Sequence, residues 1–71
     1  MEHFKTVHTL VGTSYRLGEK LGIPTTEVSD ITIDYGETPL VVTIWTKLDE
    51  NHDEVWHVII PYHAVELLVK K

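Results

Sequence analysis

The chain has no cysteine among its 71 residues. That excludes a disulfide framework and thiolate metal ligation, and it fits a reducing cytoplasm. Long apolar runs are missing as well; the longest fall far short of the roughly 20 residues a membrane-spanning helix needs. Basic residues are scarce: six Lys and Arg stand against eleven Asp and Glu, for a net charge of −5. A field of that sign does not attract a phosphate backbone, and two of the six are Lys70 and Lys71 at the end of the chain. Nucleic acid is therefore not an expected partner. The opening Met-Glu-His-Phe-Lys lacks the basic-then-apolar pattern of a secretion signal. The expectation is a cytoplasmic protein with no membrane association.

Catalytic and metal motifs are also lacking. Ser14 and Ser29 lie outside any GxSxG turn, and no HExxH or glycine-rich phosphate loop occurs. Five histidines are present, and His52, His57 and His63 fall near Asp49 and Asp53. These are ligand types for a metal, but no pair lies three or four apart on a predicted helix. Asp49, Glu50, Asp53 and Glu54 read as a solvated acidic loop. No catalytic residue, metal or cofactor is expected, and a chain this short offers little room for a deep pocket.

What is present is a globular composition, 42% hydrophobic and 24% charged, in a length that makes one domain spanning residues 1–71. Domains of this size bury only roughly 60% of their unfolded surface and are marginally stable. Phe4, Val7, Leu10, Val11, Leu17 and Leu21 recur at steps dominated by three and four. This is one stripe of a long N-terminal helix, weakened at Gly12 and Gly18 and stopped at Gly22.

After the break at Ile23-Pro24, three segments read as strands. Val28 to Tyr35 alternates apolar with polar residues, a half-buried pattern that suits a sheet edge. Gly36 to Pro39 is turn chemistry. Leu40 to Lys47 and Glu54 to Ile60 follow, separated by the polar loop Leu48–Asp53. Pro61 then opens a short helix with Val65, Leu68 and Val69 on one side. The expected fold class is α+β: a long N-terminal helix, a three-stranded antiparallel meander and a short C-terminal helix.

Strands two and three are apolar on both faces. With successive side chains pointing to opposite sides, one face carries Leu40, Val42, Ile44, Val58 and Ile60. The other carries Val41, Trp45, Val55, His57 and Ile59. On this register Trp45 and Trp56 lie on opposite faces. A chain this short covers one sheet face with its own helices and struggles to cover two. Val41, Trp45, Val55, His57 and Ile59 are thus the expected interface, with His57 beside Trp45 as a group that makes association pH-dependent.

One local pattern resembles a known family. Glu19 to Ser29, Glu-Lys-Leu-Gly-Ile-Pro-Thr-Thr-Glu-Val-Ser, is similar to the turn region of bacterial helix-turn-helix regulators, over about twenty residues from Ser14 to Ile33. The resemblance implies a small residue for close helix crossing, Gly18, and a turn glycine, Gly22. Glu27 and Asp30 occupy the implied recognition helix, which has no Lys or Arg to read DNA. In size and style the chain also resembles phage and bacterial accessory proteins. The leading expectation is a non-enzymatic, homodimeric protein-interaction module. The alternative is a small helix-turn-helix regulator, or an acidic protein that acts on a nucleic-acid-binding partner.

Overall fold

Alternation interrupted by bulges, rather than helical periodicity, organises this chain. The computed structural model describes residues 1–71 and contains seven strands and no α-helix. They are β1 (Glu2–Thr9), β2 (Ser14–Arg16), β3 (Lys20–Leu21), β4 (Thr26–Ile33), β5 (Val41–Lys47), β6 (Val55–Pro61) and β7 (Val65–Lys70). A single 3₁₀ turn, Tyr62–Ala64, joins β6 to β7. The α+β expectation is therefore corrected to an all-β fold.

Both expected helices are strands. In β1 the partner register slips between Phe4 and Thr6 against β7, which leaves Lys5 as an extra, bulged residue. The bulge turns an inward step of two into the step of three from Phe4 to Val7. Leu10 and Val11, which extended the apparent stripe, sit exposed in the β1–β2 turn. The inward position after Val7 is Thr9, a polar residue whose hydroxyl donates to the Thr13 carbonyl at 3.0 Å. At the C-terminus, Val65 to Lys70 pairs antiparallel with β1, Val7 opposite Leu68.

The helix-turn-helix reading is overturned by the same segment. Ser14 to Ile33 contains β2, β3 and the whole of β4. Gly18 has φ of 86° in a turn closed by the Glu19 N–H donating to the Arg16 carbonyl at 3.1 Å. The glycine thus supplies a positive-φ turn position, not a helix crossing. The turn is stitched to β4, where the Gly18 N–H donates to the Val28 carbonyl at 2.9 Å and the Val28 N–H to the Glu19 carbonyl at 2.8 Å.

Strands β4, β5 and β6 form an antiparallel meander. β4 is not an edge: β5 lies on one side, and β1 and β3 share the other. Because β7 also pairs with β1, a continuous path β7-β1-β4-β5-β6 crosses the sheet, with β6 and β7 as its outer members. Five strands laid flat place their outer members about 19 Å apart. The three residues of the 3₁₀ turn between them rise only about 6 Å. The sheet must therefore roll over, and its concave side closes on itself.

That concave side is the core: Phe4, Val7, Val28, Ile31, Ile33, Val42, Ile44 and Ile60. Pairing stacks them across strands, Phe4 opposite Ile31, Ile31 opposite Ile44, and Val42 opposite both Ile33 and Ile60. Tyr15, Leu17 and Leu21 from the β2–β3 excursion pack against one end of it. Only 11 of 71 residues are buried, so each core side chain carries a large share of the stability. Ile44→Ala is expected to destabilise the domain by about 2–5 kcal/mol, read as a lower urea midpoint; a shift within error would place the core elsewhere.

A charged clasp holds the start and end of the chain. Glu2 accepts a hydrogen bond from the Tyr35 hydroxyl at 2.8 Å and pairs with the Lys70 ammonium at 2.7 Å. These contacts hold the Glu2 carboxyl below its ordinary value, chiefly through Lys70 and then Tyr35. A carboxylate with a lowered folded pKa stabilises the fold above its ordinary value, and the contribution vanishes as acid protonates it. Between about pH 7 and pH 3 the thermal midpoint of Glu2→Gln is expected to fall less steeply than that of the unaltered protein. Parallel curves would assign the acid sensitivity to other carboxylates.

Candidate interaction surface

The convex side of the meander is built from the outward positions of three strands. β5 presents Val41, Thr43 and Trp45 there, because Val42, Ile44 and Thr46 point into the core. Across the ladder, Thr32 and Asp30 of β4 oppose Thr43 and Trp45. On the β6 side, Ile59 opposes Thr43 and Trp56 opposes Trp45. Residues directly opposite in an antiparallel pair share a face.

Bulging decides which of the expected interface residues meet. Val41, Trp45 and Ile59 do share this convex face. Val55 does not: it opposes Thr46, a core-facing residue. Between Ile44 and Trp45 the register against β6 slips, leaving His57 as the extra residue. His57 consequently lies away from Trp45, its ring 6.4 Å from Tyr15 in an edge-on arrangement with the planes at 65°. Beyond the slip, Trp56 takes the outward place beside Trp45, so the two tryptophans lie on one face rather than on opposite ones.

The indole of Trp45 is fixed rather than free. Its Nε1–H donates to Thr32 Oγ1 at 2.9 Å, and Thr32 is only 4% exposed. This hydrogen bond lays the ring across β4 and β5. Trp56 is 61% exposed and Ile59 46%, so the row beside Trp45 is open to solvent. At the Val41 end of β5, the loop Asp34–Pro39 rises over the sheet. Together they enclose a groove of about 420 Å³ with Thr43 and Trp45 along it and Asp34 and Glu37 in its lining.

Strand β6 also forms a free edge, pairing with β5 alone. From Val55 to Ile60 it carries no Asp, Glu, Lys or Arg. Strand β7, at the other end of the five-strand path, carries Glu66 and Lys70. Charge on an edge strand is a common block to further pairing, and β6 lacks it.

Other polar contacts are dispersed. His3 Nδ1 meets Asp30 Oδ2 at 2.8 Å, and His52 Nδ1 meets Asp49 Oδ1 at 2.7 Å. The His52 contact is the leading cause that holds the Asp49 carboxyl below its ordinary value. His8 and Ser14, cross-strand partners, meet at 2.6 Å. They do not line the groove, so the contact ties β2 to β1. No three His, Asp or Glu side chains converge as metal ligands do. No helix is long and apolar enough to cross a membrane.

Comparison with protein-family models, curated proteins and solved structures finds no match to this chain.

Trp45 provides a direct check on the geometry. Thr32→Val removes the acceptor of its indole N–H. The expected result is a loss of about 1 kcal/mol and a displaced Trp45 indole resonance in the ¹H–¹⁵N spectrum, both restored by Thr32→Ser. An unmoved resonance would place the indole elsewhere.

Proposed function

We propose that this chain is a non-enzymatic interaction module that pairs with a second copy of itself along β6. The observation that carries the reading is the edge itself: a strand without Asp, Glu, Lys or Arg from Val55 to Ile60, paired on one side only, with Trp56 and Ile59 exposed. An open edge of this kind templates strand addition, and adjoining apolar surface favours burial. The bulge at His57 aims Trp56 outward and leaves Val58, Ile59 and Ile60 in regular register for pairing. Two copies related by a twofold axis bring the same strand to both sides of the contact, and their convex faces become continuous. The reading includes a cytoplasmic location, in keeping with a cysteine-free chain.

Sedimentation velocity across a concentration series tests this. The expected particle has twice the 8.2 kDa chain mass. Ile59→Lys and Trp56→Asp each raise the dissociation constant at least tenfold, about 1.4 kcal/mol, with dispersed NMR spectra showing retained folding. Leu67→Asp, on the opposite edge, leaves the dimer intact. A wild-type monomer at every concentration overturns the proposal, as does a dimer sensitive to Leu67→Asp alone.

A further inference from the structure

We infer that the groove beside Trp45 is a docking site for a basic, extended segment of a partner polypeptide. This goes beyond self-pairing and does not depend on it, because Ile59 is the single lining residue contributed by β6. The groove has two chemically distinct parts. Its sheet side offers the indole of Trp45 with Val41 and Ile59. Its loop side offers the carboxylates of Asp34 and Glu37; no Lys, Arg or His side chain lines it, and Met1 lies at its margin.

Charge complementarity selects the occupant. Neither Asp34 nor Glu37 takes part in the chain's Lys–carboxylate ion pairs or its His–carboxylate contacts. Asp34 Oδ1 accepts from the Gly36 N–H at 3.0 Å, which fixes its carboxylate at the turn. The chain as a whole carries −5, so the wider field attracts the same sign of ligand. A lysine or arginine is apolar along its stem and cationic at its tip. The stem matches the Val41, Trp45 and Ile59 surface, and an indole face attracts the cation as well. The tip reaches carboxylates that are engaged in no ion pair. At about 420 Å³ the groove is within the range of roughly 300–1,000 Å³ that binding pockets occupy.

The test is a ¹H–¹⁵N titration of the full chain with an acetylated, amidated peptide of alternating leucine and arginine. Its leucine–glutamate counterpart and free arginine amide serve as comparisons. The arginine peptide is expected to give saturable shifts at Thr43, the Trp45 indole and Glu37, weakening as salt is raised. Asp34→Asn with Glu37→Gln preserves the turn acceptor and weakens binding by about fivefold or more. Equal binding of the glutamate peptide overturns the proposal, and so do shifts confined to other surfaces. Free arginine amide binding as tightly as the peptide makes the groove a small-cation site instead. Shifts at Asp34, Glu37 and Thr43, beyond those of the β6 edge, that appear on concentrating the protein without peptide assign the groove to a second copy. Either result excludes a basic polypeptide as its ligand.

Discussion

The short link between β6 and β7 is the constraint on which the architecture depends. Outer members of a five-strand path are joined by one 3₁₀ turn, and a flat sheet cannot satisfy that connection. Rolling the sheet creates an inside without any helix. Ile31, Ile44 and Val42 share one buried cluster with Phe4 and Val7 of β1. The turn is held at both ends: the Leu10 N–H donates to the Ala64 carbonyl at 2.9 Å, and the Tyr62 N–H to the Leu40 carbonyl at 3.2 Å. The same curl that closes the concave side turns Trp45, Trp56 and Ile59 outward. Core and candidate surface are two consequences of one connection.

The strands of the meander were legible because their alternation is long and bounded by turn residues. The N-terminal third was not, because two signals were disguised. The bulge at Lys5 lengthens the step between Phe4 and Val7 from two to three, which is the spacing of a helix. Thr9 then occupies an inward position with a polar side chain and satisfies its hydroxyl locally on Thr13. A second bulge, between Val28 and Asp30 of β4, repeats the three-residue step from Val28 to Ile31. The β-branched residues along β4 and β5 were the better guide. At Gly18, an expected helix crossing was a tight turn, since residues 16–19 close on themselves. The assumption that helices must cover the sheet also hid the simpler solution, in which the sheet covers itself.

The candidate surface was partly legible for the same reason. Val41 and Trp45 follow from simple alternation along β5, and Ile59 follows along β6 up to the slip. Val55, His57 and Trp56 lie at or beyond the slip, where a one-residue change moves every side chain to the other face. Nothing in Val-Trp-His-Val-Ile-Ile marks which residue will bulge, since all six suit a strand. Asp34 and Glu37 could not be placed from spacing either. They join the groove through the fold of the Asp34–Pro39 loop over β5, a tertiary event.

The placement of the aromatic residues argues that the convex face is more than leftover surface. Eight apolar residues form the buried core, and seven of them are Val or Ile. A small rolled sheet has room for branched aliphatic groups, and its core contains neither tryptophan. Both indoles stand together on the outside, one pinned by Thr32 and one open to solvent. Burial is the usual return on an apolar group of this size, and folding of the single chain does not supply it for Trp56. Leaving it wet beside Ile59 and an uncharged edge carries a standing risk of aggregation. A partner that covers the edge and the indole together removes that risk, and supplies the contact area that the chain's own core cannot.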